Sequence, residues 1–104
     1  MNSREQLRML ILAVLERQPE HGYAIAQAIK TRSEGLLTAR EGTLYPVLHA
    51  LEAEELIQSS EYATAGRIRR EYRLTEKGLK TLQKARGDWH KKIQAVNAVL
   101  GGEL

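Results

Sequence analysis

The 104-residue chain has no cysteine, which excludes a disulfide scaffold and any thiolate metal site. It also has no long hydrophobic run. The most apolar stretch, MLILAVL from Met9 to Leu15, is far short of a membrane span. As a signal-peptide core it is poor, because Glu5 precedes it and ERQPE follows where a small-residue cleavage site belongs. The expected location is therefore the cytoplasm. Internal repeats and low-complexity segments are missing. So are G-x-S-x-G, a glycine-rich phosphate loop and a paired-carboxylate motif. His21, His49 and His90 are scattered, with no carboxylate or cysteine at ligand spacing, so neither a metal site nor a cofactor is expected. Nothing in the chain points to an enzyme.

What is present is an apolar fraction of 42%, enough for one domain with a core. A chain this small buries a modest share of its surface, and pairing with a second copy would help it. Charge is unevenly spread. Residues 1–60 carry six Lys/Arg against eight Asp/Glu, whereas residues 61–92 carry ten against four. A positive field concentrated in one third of the chain suggests a polyanionic partner. A solvated lysine face explains Lys77, Lys80 and Lys84 equally well. It explains RIRR beside a glycine less well.

Periodicity gives the order of elements. Ser3 with Gln6 forms a capping-box pattern, and Leu7, Leu10, Ile11, Val14 and Leu15 mark an amphipathic helix ending before Pro19. A second helix is expected from Gly22 to about Thr31, followed by a turn at Ser33–Gly35. Thr38 with Glu41 is a second capping-box pattern, opening a third helix that ends near Glu54. The period then changes. LIQSSEY and RREYRLT have strand character, and ATAGR supplies a hairpin loop. Thr75 caps a last helix to about Leu100. Its apolar residues Leu79, Leu82, Trp89, Ile93, Val96 and Leu100 follow a heptad seam, with Arg86 in the polar slot. Helix, helix, helix, hairpin, helix is the order of a winged helix-turn-helix: a mainly α fold with a β-hairpin wing. The expected division is 1–75 for the winged unit and 76–104 for a dimerisation helix.

HGYAIAQAI (His21–Ile29), EGTLYPVLHALE (Glu41–Glu52) and RREYRLTEKG (Arg69–Gly78) resemble, in order and spacing, the PadR family of bacterial transcriptional regulators. The resemblance spans roughly residues 5 to 90 and points to the small subgroup with a single C-terminal helix. It implies a homodimeric repressor on a pseudo-palindromic duplex, released by a small aromatic or drug-like ligand. One departure stands out: the family pattern has glycine where this chain has Glu55. Glycine suits the left-handed residue that ends a helix. Glutamate there either costs about 1 kcal/mol or ends the helix differently, which could alter the wing's angle.

The candidate DNA contacts are Tyr23, Arg40, Thr43, Tyr45 and His49 on the helix-turn-helix and Arg67, Arg69 and Arg70 on the wing. Hydroxyls and guanidinium groups are the usual partners of phosphates and base edges. DNA contact is the favoured reading; the alternative for Tyr45 is packing against a neighbour, for Tyr23 a half-buried structural tyrosine, and for the wing arginines a charged edge that blocks strand pairing. Arg70 falls on the Tyr72 side of its strand and is the weakest of the three. Pro46 reads either as a bend inside the third helix or as a first-turn residue of a helix that starts late. Leu82, Trp89, Ile93, Val96 and Leu100 are the expected dimer seam. The resemblance also makes Trp89 the candidate for stacking a planar aromatic ligand, against the reading of a plain dimer-core tryptophan. Two other readings stay open: a winged-helix module that binds protein, and a ligand-binding dimer with no DNA role.

Overall fold

In the computed structural model, which describes residues 2–102, the elements are α1 (Ser3–Arg17), β1 (Glu20–His21), α2 (Gly22–Arg32), α3 (Glu41–Ala53), β2 (Ile57–Thr64), β3 (Arg67–Leu74) and α4 (Glu76–Leu100). The strands form one antiparallel sheet in the order β1-β3-β2. The winged helix-turn-helix expected from the sequence is the observed fold. β1 was not expected: its two residues, pairing Glu20 with Tyr72 and His21 with Glu71, are too few to show a period.

The core is a single cluster. Ile11, Leu12, Val14 and Leu15 of α1 meet Ile25 and Ile29 of α2 and Leu44, Val47, Leu48 and Leu51 of α3. Leu56, Ile57, Tyr72 and Leu82 close it. Leu82 is fully buried, so it belongs to the protomer's own core and leaves the predicted dimer seam. Gly78 is buried beside it. The first turns of α4 thus pack on the same core as the helices and the wing. Arg86, the polar slot of the seam, reaches Glu16 of α1 at 2.9 Å. Beyond it Trp89 and Ile93 are half-exposed, and Val96, Val99 and Leu100 are exposed.

Both expected capping boxes are displaced. Asn2, one residue earlier than Ser3, caps α1 by accepting from the Glu5 amide at 2.8 Å. α3 begins after Arg40, with no side-chain cap. The reason lies in Leu37 and Ala39, alternate residues that both pack on the core. With both side chains on the core, residues 37–40 stay outside the helix, and Thr38 falls two residues before the Arg40 N-cap. Pro46 is therefore the sixth residue of α3, not a first-turn residue, and the late-start reading is excluded. Proline has no amide to donate to the carbonyl of Gly42.

Glu55 is left-handed, with φ 63, and α3 ends in a Schellman motif. The Leu56 amide donates to the Leu51 carbonyl at 3.0 Å, and the Glu55 amide to that of Glu52 at 2.9 Å. α2 ends the same way around Glu34, φ 55. Two glutamates thus hold positions that favour glycine. Glu55→Gly is expected to stabilise the protein by about 1 kcal/mol, read as a raised urea midpoint at unchanged slope. An unchanged midpoint would mean that Glu55 makes a compensating contact.

The end of α3 is also tied to its neighbours. Arg8 of α1 grips the Glu54 carboxylate with two bonds of 2.7 and 2.8 Å. That hydrogen bond holds the Glu54 carboxyl below its ordinary value of 4.5, and Arg86 does the same for Glu16. A carboxylate depressed by folding stabilises the protein fully above its unfolded value. The contribution is lost as pH falls through the depressed value. Stability is therefore expected to be level down to about pH 4.5 and to fall below it. Arg8→Ala should flatten that acid limb in urea melts; an unaltered limb would assign it to other carboxylates.

Candidate nucleic-acid interface

The hairpin leaves α3 at a fixed angle because three groups tie it down. Glu52, late in α3, accepts from the Ser59 amide at 3.1 Å and from the Ser59 hydroxyl. The same hydroxyl accepts from Arg70 at 3.2 Å, and Arg70 is ion-paired with Glu61 across the ladder. Arg70 therefore braces the wing internally, unlike the free wing contact expected of it. The tip is a two-residue turn, Ala65-Gly66, with both φ positive at 49 and 75, as a type I′ hairpin requires.

Between the wing and the helix-turn-helix lies an open groove of about 490 Å³. Tyr23, Tyr45, His49, Arg67, Arg69 and Arg70 all line it, with His21, Gly22, Ile68 and Tyr72. The predicted contacts from helices and wing thus converge on one surface. Arg40 and Thr43 do not join it. They line a separate depression beside the start of α1, with Ser3 and Gln6.

The tyrosines differ. Tyr23 is 63% exposed, its hydroxyl accepting from Gln27 at 3.0 Å, so it is not the half-buried structural tyrosine weighed above. Tyr45 is half-buried, its ring packed on Gly22, where a Cβ would come within 2.6 Å of the hydroxyl. Tyr45 is therefore a packing residue that also borders the groove. Tyr72 is the buried floor, and burial pushes its phenol upward, so it stays neutral.

Arg40, Gly42, Thr43, Pro46 and His49 are exposed on α3. Gly42, Pro46 and His49 form one stripe, spaced four and three residues apart. Two of the three are small or compact, so the helix backbone can approach a partner closely. Among the described residues, Arg67 makes no ion pair, and the one side-chain hydrogen bond of Arg69 is to the ring of His21, at 3.2 Å.

Sequence reasoning missed His21 as part of this surface and Glu52 and Ser59 as braces of the wing. Each acts through a partner on another element, and spacing along the chain does not show that.

The model of the transcriptional regulator PadR-like family matches residues 11–84, which covers the second half of α1, all of α2 and α3, the wing and the first turns of α4. The chain belongs to the PadR-like family. Transcriptional regulator Rv3488 of Mycobacterium tuberculosis is 33% identical over 100 residues, covering 96% of this chain and 88% of that protein. Transcriptional regulator YqjI of Escherichia coli is 33% identical over 81 residues, which are 78% of this chain but only 38% of YqjI. Among solved structures, a transcriptional regulator from Clostridium thermocellum superposes with a TM-score of 0.85 at 26% identity, covering 91% of this chain and 93% of that one. A PadR family regulator from Clostridium difficile gives 0.80 at 31% identity, covering 90% and 97%. PadR-like proteins are transcriptional regulators, not enzymes. Among the described residues no helix is long and apolar enough to cross a membrane.

Proposed function

We propose that this PadR-like protein is a homodimeric repressor that binds a pseudo-palindromic duplex. The observation that carries this is the groove joining Tyr45 and His49 of α3 to Arg67 and Arg69 of the wing. α3 enters the major groove with Gly42, Thr43, Pro46 and His49 toward the bases. Arg40 stands at its start. The wing arginines neutralise flanking phosphates or enter the minor groove. The second copy pairs through Trp89, Ile93, Val96 and Leu100, the apolar seam that the protomer leaves uncovered.

The experiment is a salt series of binding to the DNA upstream of the protein's own gene, against random duplex. Tight, sequence-preferring binding with a steep salt slope is expected, because phosphate contacts release counterions. Arg67→Ala and Arg69→Ala should each reduce that slope by about 1. Tyr45→Phe tests the hydroxyl and keeps the ring on Gly22. Salt-independent or absent binding would refute the reading.

Release by a planar aromatic ligand rests on the resemblance and on Trp89. A true inducer quenches Trp89 emission and weakens duplex binding together, as linkage demands.

A further inference from the structure

The ring of His21 has two neighbours that cannot both be hydrogen-bonded to it. As N-cap of α2, its Nδ1 lies 3.4 Å from the amide nitrogen of Ala24. Its Nε2 lies 3.2 Å from Nη1 of Arg69, on the neighbouring strand. An amide N–H and a guanidinium N–H are both donors, and a guanidinium cannot accept. A neutral imidazole has one donor nitrogen and one acceptor nitrogen. It can serve Ala24 or Arg69, not both.

We propose that His21 is a positioning residue of the DNA groove, toggling between a tautomer that holds Arg69 and one that caps α2. This rests on the reading of the groove as a phosphate-contacting surface. In the free protein the Arg69 contact is the shorter, and its donor is charged. Hydrogen bonds to charged groups are the stronger class. The ring then carries its proton on Nδ1 and accepts through Nε2, and the Ala24 amide lacks its cap.

A phosphate that draws Arg69 away changes this balance. The ring gives up the proton on Nδ1 to water and takes one on Nε2, with no change in its charge. Nδ1 is then free to accept from Ala24. The cap gained offsets part of the bond lost, so releasing Arg69 to DNA costs less than breaking that bond alone. The same step secures the first turn of α2, which carries Tyr23 to the edge of the groove. The wing and α2 are thereby coupled through one ring.

The test is nitrogen NMR of the ring in the full chain at about pH 8, above the ordinary histidine range. The free protein is expected to carry the ring proton on Nδ1. Arg69→Ala, without DNA, should carry it on Nε2, with the Ala24 amide exchanging about fivefold more slowly. Addition of upstream duplex to the unaltered protein should produce the same two changes. His21→Asn keeps a good cap but loses the ring, so its Ala24 amide should be slow with and without duplex. A ring proton on Nδ1 in Arg69→Ala would overturn the toggle whether or not DNA binds. Tight, salt-dependent binding with the ring unchanged would overturn the coupling while leaving the groove reading in place. Failure of any duplex to bind would overturn the groove reading, and with it the role given to His21.

Discussion

Gly78→Ala is expected to destabilise the protein by about 2–3 kcal/mol, against a helix-propensity gain of about 1 kcal/mol that would predict the opposite sign. Gly78 is in the first turn of α4, where its amide donates to the Thr75 hydroxyl at 3.0 Å. A Cβ there would be 2.0 Å from the Leu56 carbonyl oxygen and 2.7 Å from a Leu74 methyl. The carbonyl is backbone and is already engaged, accepting from the Thr75 amide at 3.2 Å. It cannot swing aside without undoing the junction of α3, β2 and α4. Gly87, in the same helix, has nothing within 4 Å of the equivalent position. Gly87→Ala should therefore show the ordinary propensity gain of about 1 kcal/mol. Urea denaturation of the two variants side by side decides the matter. Equal shifts would mean that α4 does not sit on Leu56 as described.

Ile93→Glu is expected to give a folded monomer whose affinity for upstream DNA falls by about 100-fold or more, since two linked half-sites bind far better than one. The residue is half-exposed and lies beyond Leu82 and Arg86, where α4 leaves the protomer's own core. A charge in an apolar seam must be desolvated or must break the seam. Sedimentation should show loss of the dimer at unchanged helix content. Weak binding to random duplex should change little, because α3 and the wing are untouched. A wild type already monomeric at binding concentrations would sink the seam and the pseudo-palindrome together.

Much of this was legible in the sequence. The order of elements, the cap at Thr75 and the three helices of the core follow from spacing and local chemistry. What was not legible depends on contacts across the chain. Leu12 lies off the simple stripe of α1 yet is buried, because α1 is covered from several sides. Leu82 fits a heptad as well as Trp89 does, and only α1 lying over it reveals that it is already used. Thr38 has the right partner three residues on, but α3 starts only after Arg40, past Leu37 and Ala39 on the core. Tyr45 looks free on a helical wheel and is covered by the glycine at the start of α2. Arg70 looks like a wing contact and instead braces the hairpin through Glu61 and Ser59. In the candidate site, the residue types were readable and their division into braces and free contacts was not.

The C-terminal end of α3 is held on three sides: by Arg8 through Glu54, by Ser59 through Glu52, and by α4, whose Lys77 donates to the Glu54 carbonyl at 2.9 Å and whose Thr75 hydroxyl donates to that of Glu55 at 2.8 Å. Such a junction makes the reading helix, the wing and the first turns of α4 a single rigid lever. α4 is about 37 Å long, and its outer half is free of that lever's bulk. A small rotation at the outer end therefore swings the whole reading head as one piece. In the proposed dimer, two such heads on a shared axis would act as calipers, opened or closed from the handle.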